Sequence, residues 1–226
     1  MNAALSNEDI RAIERSLSPE RLSSYLPLAN GDRPKALFLY QHNTALSEAL
    51  YTPLQGLEVG LRNACDIQLV KLLGESWYDN RHGIFQHPLT EMIERAGRSL
   101  VSDGKSISGG RMVSELSFGF WVAILAPRYE NHLWRPALRK AFPNRPRGIE
   151  RRDIHKSVNA LRRLRNRVAH HEPILHRDLG HDHHQIIQLL RWTCETTATW
   201  IADQSRFPKV LAELSQAIDQ EDATGR

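Results

Sequence analysis

The chain has 226 residues, 41% of them hydrophobic and 25% charged, which suits one globular domain of moderate size or two small ones. Two cysteines, Cys65 and Cys194, exclude a disulfide framework and any Cys-rich metal spacing, and the longest apolar run, around Phe120 to Ala126, is far too short to cross a bilayer. The formal charge of +4, from 30 basic and 26 acidic residues, is compatible with a polyanionic partner without requiring one.

In chain order almost every segment predicts a helix. The start, Met1 to Ser6, lacks the basic residues and apolar run of a signal peptide, so a cytoplasmic protein is expected. Ser6 is placed to cap a first helix with Asp9 at its third position. Ser18-Pro19 opens a second, with proline in the first turn. A long pattern follows Asp32, from about Pro34 to Leu50; Pro53 is expected to restart it and Gly74 to end it near Leu73. His87-Pro88 opens a further helix that fades near Ser102, and the Gly- and Ser-rich stretch to Arg111 predicts a loop. Then come Ser114 to Leu125, Asn131 to Phe142, Glu150 to His171 with Pro173 as its stop, Asp182 to Asp203, and Pro208 to Ile218, with a frayed tail from Asp219. No alternating strand pattern and no internal repeat is present. The expected architecture is one all-α domain over residues 1–226: N-terminal helices over 1–30, a core over 31–205, and a C-terminal helix and tail over 206–226.

The most informative stretch is Arg165-Asn166-Arg167-Val168-Ala169-His170-His171-Glu172-Pro173 at the end of the Glu150 to His171 helix. With Ile154, Val158, Leu161, Leu164 and Val168 as the apolar stripe, about 100° per residue puts Arg165 near the middle of that stripe. Asn166 and His170, one turn apart, fall on the polar side with His155 and Asn159. A charge on an apolar face is costly unless paired, so Arg165 is either a structural ion-pair arginine or part of a site. Histidine suits proton transfer near neutral pH, and arginine grips phosphate oxygens as a bidentate fork. Arg165, Asn166 and His170 therefore hold the groups needed to cleave RNA through its own 2′-hydroxyl, without a metal or other cofactor. Arg165 and His170 are five residues apart, about 140° around an ideal helix, so the set reads as half of a site that a second copy of the chain completes.

Basic residues crowd the approach to this motif: Arg151, Arg152, Arg162, Arg163 and Arg167 are candidate RNA contacts, or else a solvated helix flank. Glu58 and Arg62, one turn apart, form a second constellation. Glu58 lies on the stripe of Leu54, Leu57, Leu61, Cys65 and Leu72. It is expected either to pair with Arg62 or to reach across and orient Arg165. His170, His171, His176, His181, His183 and His184 form a third group, with Asp178 and Asp182 among them. Their spacing matches no helical metal pair, so a metal-dependent hydrolase is the weaker reading and no metal ligand is assigned. Among the aromatics, Trp77-Tyr78 is a candidate for stacking on a base, whereas Phe118, Phe120, Trp121, Trp134 and Trp192 are expected in the core.

Arg165-Asn166-Arg167-Val168-Ala169-His170 resembles the R-x4-6-H motif of HEPN-domain proteins. The longer string from Leu161 to Ile174 is similar to the signature of their Abi-like, abortive-infection branch. Ser114-Glu115-Leu116-Ser117-Phe118-Gly119-Phe120-Trp121 resembles that family's L-[ST]-F-G-F-W segment. Tyr129-Glu130, Leu133-Trp134 and Ala141-Phe142-Pro143 follow in the family's order, and Glu58 to Ala64 is similar to its N-terminal helix. The resemblance spans roughly Leu22 to Trp200. It implies an all-helical HEPN-like bundle with added N-terminal helices and dimerisation through the motif helices. It also implies metal-independent endoribonuclease activity in the bacterial cytoplasm, in phage defence or as a toxin. Arg165, His170 and Asn166 would then be the catalytic set, with His171, Glu58 and Arg62 supporting. RNA is the implied partner, with an antitoxin protein or noncoding RNA as a possible regulator and no membrane involved. The alternative within the family is a module that binds RNA or a partner protein, as an antitoxin or sensor, without cutting.

Overall fold

The computed structural model describes residues 6–224, with the side chains of residues 219 and 221–224 left aside. The start Met1 to Leu5 and the last two residues of the tail lie outside the described residues. Every regular element among the described residues is helical, in the order α1 (Asn7–Leu17), α2 (Pro19–Ser23), α3 (Arg33–Leu73), α4 (Leu89–Ser102), α5 (Gly109–Glu115), α6 (Phe118–Ala123), α7 (Arg151–Ala169), α8 (Leu179–Thr193), α9 (Glu195–Gln204) and α10 (Phe207–Thr224). Short 3₁₀ turns sit at Trp77–Asp79, Pro127–Tyr129 and Leu138–Ala141, and a π-helical turn at Glu130–Trp134. No helix among the described residues is long and apolar enough to cross a membrane.

The chain divides into two compact units. Among the described residues, the first takes those up to Tyr51, then Asn166–His181, then those from Ser205 to Thr224. Its α1 begins as the sequence predicts: Ser6 Oγ accepts from the Asp9 N–H at 3.2 Å, while the Ser6 N–H donates to the Asp9 carboxylate at 3.0 Å. Ile10, Leu22 and Leu37 make one apolar cluster; Tyr25, Ala29, Ala36 and Leu39 make a second, with Leu175 packed against it. Tyr25 meets Tyr40 edge to face, and burial together with Tyr40 pushes its phenol up to about 12.

The second unit comprises Thr52–Arg165 and Asp182–Gln204. Two glycines let α3 approach its neighbours closely. A Cβ at Gly56 would lie 2.7 Å from Ile201 Cδ1, and one at Gly60 would lie 3.2 Å from Leu190 Cδ2. Trp77, Phe85, Phe120 and Trp121 stack and tilt against one another in an aromatic core. The Trp77 indole N–H donates to Asp66 at 2.8 Å; burial outweighs that bond and raises the Asp66 carboxyl above its ordinary range. Asn144 caps the end of α8, its backbone and side-chain nitrogens donating to the Trp192 and Arg191 carbonyls, each at 3.1 Å.

Several boundaries differ from expectation. α3 runs unbroken for 41 residues through Pro53. An interior proline costs about 3 kcal/mol, but burial of Leu50, Leu54, Leu57 and Leu61, each worth about 1.5–3 kcal/mol, outweighs it. The expected helix over Ser114 to Leu125 is two: Gly109 and Gly110 already lie in α5, and Leu116 turns extended before α6 starts. The expected Asn131 to Phe142 helix is replaced by the π-helical and 3₁₀ turns, because Pro136 cannot donate to a helical ladder and Ala137 leaves helical geometry at φ −136°. Asp182 to Asp203 divides at Cys194, and α10 continues through the expected frayed tail to Thr224.

Candidate functional site

Helix α7 carries the motif and is built as its pattern predicts through Leu164. Ile154, Val158, Leu161 and Leu164 are all fully buried. The stripe does not remain buried to the end: Val168 is only half-buried, and the Arg165 side chain is 40% exposed. Arg165 is therefore not a charge in the core. It sits where the buried face opens, and its Nε donates to Glu58 Oε2 at 2.9 Å. Glu58, with a side chain 18% exposed, is the more buried partner. No described residue bonds the two terminal nitrogens of Arg165, so the outer edge of its fork is open.

This contact decides between the two pairings open to Glu58. The Glu58–Arg62 pair is not formed: Arg62 makes no ion pair or hydrogen bond with a described residue, and its buried Nε has no partner. The register that allows an i,i+4 pair also lets Glu58 point at α7, where Arg165 takes it.

In the first unit, the end of α7 is fixed by backbone geometry. His171 adopts the left-handed conformation at φ 55°. The Glu172 N–H bonds the Arg167 carbonyl at 2.8 Å and the His171 N–H bonds the Val168 carbonyl at 3.2 Å. This is the Schellman arrangement, with a histidine where glycine is usual, at a cost of about 1–2 kcal/mol. Three side chains compensate. Arg21 donates to the His171 carbonyl at 2.7 Å, Arg167 Nε donates to the Pro173 carbonyl at 2.9 Å, and the buried Asn43 accepts from the Ile174 N–H at 2.7 Å. His170 caps the helix, its N–H on the Asn166 carbonyl at 2.9 Å, and its side chain and that of His171 are exposed. Asn166 is half-buried. Nothing in the local sequence marks Asn43 or Arg21 as part of this end.

The candidate RNA contacts separate into different classes. Arg151 is overturned as a surface contact: it is 9% exposed, ion-pairs with Glu130, and donates from Nη1 to the Leu125 carbonyl at 2.7 Å. Three residues before Ile154, it falls on the buried side of α7, and its pairing makes it a structural arginine. Arg167 is largely spent on Pro173 and on Glu172 at 3.5 Å, and Arg162 donates to Asn159 at 3.1 Å. Arg152 and Arg163 are exposed; Arg152 lies 3.4 Å from Glu150, while Arg163 has no partner among the described residues.

Trp77 is also overturned as a base-stacking residue, being 2% exposed in the aromatic core; Phe118, Phe120, Trp121, Trp134 and Trp192 are buried as expected. In the histidine-rich stretch, Asp178 is used as a helix cap, accepting from the His181 N–H at 2.9 Å. Burial lowers His183 and His176, in the latter case with help from Arg167 and Arg177. Among the described residues no group of three His, Cys, Asp or Glu side chains is placed to hold a metal ion. No family model, curated protein or solved structure matches this chain.

Proposed function

We propose that this all-helical protein is a HEPN-type endoribonuclease that cuts RNA by attack of the 2′-hydroxyl, acting in phage defence or as a toxin. The observation that carries the reading is the Glu58–Arg165 pair. One edge of the guanidinium is anchored at 2.9 Å and the other edge is open at the surface, which is the posture of an arginine presented to a ligand. Its open nitrogens would hold the non-bridging oxygens of the scissile phosphate and stabilise the charge added in the transition state. His170, exposed at the helix cap, would take the 2′-hydroxyl proton as the oxygen attacks phosphorus. The P–O5′ bond breaks, and the departing 5′-oxygen takes a proton from a protonated histidine. A second copy of the chain, meeting the first across a two-fold axis, would supply that acid. The products are a 2′,3′-cyclic phosphate and a 5′-hydroxyl. Asn166 would orient His170 or the phosphate, His171 supports the cap, and Arg152 and Arg163 would draw the strand in.

The test is to sequence RNA 5′ ends after brief expression of wild type, His170→Ala and Arg165→Ala. Expected are new 5′-hydroxyl ends with the wild type and none with either variant, both variants remaining folded and dimeric. Cleavage by His170→Ala at the wild-type rate would overturn the assignment. Binding of RNA without new ends in the wild type would favour the non-catalytic, RNA-binding alternative.

A further inference from the structure

One turn along α3 from the Glu58–Arg165 pair stands a cation with no partner among the described residues. Arg62 follows Glu58 by one turn of α3, but Glu58 is engaged by Arg165. Asp66, one turn further on, accepts from the Trp77 indole at 2.8 Å. Arg62 is half-buried, and its Nε is fully enclosed without an acceptor. A charged donor taken from water and left unsatisfied is costly, and in a folded protein such a group calls for a ligand, an ion or a functional reason. Exposed Arg163 raises no such question, because water solvates it, and Arg151 is satisfied by Glu130 and Leu125.

We propose that Arg62, one turn of α3 beyond the carboxylate that anchors Arg165, is a second phosphate-binding residue that holds the same nucleic-acid backbone. Two guanidinium groups and one carboxylate leave a single positive charge, the complement of one phosphodiester. Glu58 then has two roles. It steers Arg165, and it keeps the two arginines from repelling each other before a ligand arrives. The bound phosphate would meet the outer nitrogens of the Arg62 guanidinium, which, unlike Nε, are not enclosed. This inference rests on reading Arg165 as a phosphate-binding residue; it does not depend on the strand being cut.

The test uses the full chain and a short, fully 2′-O-methylated RNA strand of mixed sequence, which binds but has no free 2′-hydroxyl to attack. Fluorescence anisotropy across a salt series is compared for wild type, Arg62→Met and Arg62→Lys, with thermal unfolding of each protein alone. Arg62→Met is expected to weaken binding by about tenfold or more, the loss of one charge-assisted contact, and to reduce the log–log salt slope by about 0.7. Its melting temperature without RNA should not fall, because the substitution removes an unsatisfied donor. Arg62→Lys should keep the slope while losing part of the affinity. Wild-type affinity and slope in Arg62→Met, no binding by the wild type, or a clear loss of stability in Arg62→Met would each overturn the proposal. The two readings separate on unmodified RNA. Cleavage that needs His170 but ignores Arg62 leaves the nuclease standing and removes this inference. Arg62-dependent binding without any cleavage does the reverse.

Discussion

Glu58→Ala isolates the contact on which the site depends. It removes the carboxylate that holds Arg165 Nε at 2.9 Å and leaves the arginine 40% exposed. A charge-assisted hydrogen bond is worth about 1.5–3 kcal/mol, and half-exposure of the arginine brings it toward the exposed-pair range, so we expect a loss of about 1 kcal/mol. For a chain of this size that is a fall of about 2–4 °C in melting temperature. The effect on cleavage should be larger than on stability. An arginine free to swing is no longer aimed, and misplacement of about 1 Å can cost about a hundredfold in rate, so kcat should fall about ten- to a hundredfold. RNA binding should tighten, because Arg165 loses its carboxylate and the site gains net positive charge. Glu58→Gln, which keeps an uncharged acceptor, should fall between wild type and Glu58→Ala. Initial cleavage rates over a range of RNA concentrations separate kcat from KM, and thermal unfolding of Glu58→Ala, Arg165→Ala and the double variant gives the coupling energy. A coupling near zero, or wild-type kcat in Glu58→Ala, would refute the reasoning.

Arg151→Ala should cost about 1–3 kcal/mol by removing the buried partner of Glu130 and of the Leu125 carbonyl, whereas Arg163→Ala should change stability by less than about 0.5 kcal/mol and weaken RNA binding; urea unfolding and the anisotropy assay check both, and equal stability losses would contradict the assignment. Cys194, exposed and held below its ordinary range by the Thr197 hydroxyl and backbone, should be alkylated by iodoacetamide in the native protein well before Cys65, which burial pushes up to about 12; peptide mass spectrometry reads the order, and prior modification of Cys65 would contradict it. Because the folded-state carboxyl of Asp66 is raised, the stability it contributes is present in acid and lost as pH rises through its folded value. Asp66→Asn keeps the acceptor for Trp77, so its advantage over wild type should be larger at pH 7.5 than at pH 4.5; an advantage that is the same at both, measured by denaturant unfolding, would refute the burial argument.

The local rules that depend on adjacent residues were readable directly. The Ser6–Asp9 capping box, the proline start of α2, the end of α3 at Gly74 and the buried face of α7 through Leu164 all follow from neighbours in the chain. The breaks at Leu116 and Cys194 were less legible, because no proline or glycine stands there to mark them. The break at Ala137 has a local cause in Pro136, which the apolar pattern of Asn131 to Phe142 masked. Within the site, the motif itself and the opposed charges of Glu58 and Arg165 were visible as charges on apolar stripes. Their pairing was legible only as one of two alternatives for Glu58.

Helical periodicity by itself determined that this chain is all-helical, that α7 buries one face, and that a charged residue on that face needs a counter-charge. Periodicity has no reach beyond one element, so it left Glu58 equally suited to Arg62 and to Arg165, and it left Arg151 looking like a surface cation. Only the tertiary structure decided these. Packing brings Glu58 to Arg165 across 107 positions of sequence and encloses Arg151 with Glu130 and Leu125. It also leaves Arg62 Nε without an acceptor among the described residues. Burial and pairing are properties of which surfaces meet, and that information lies in the packed fold.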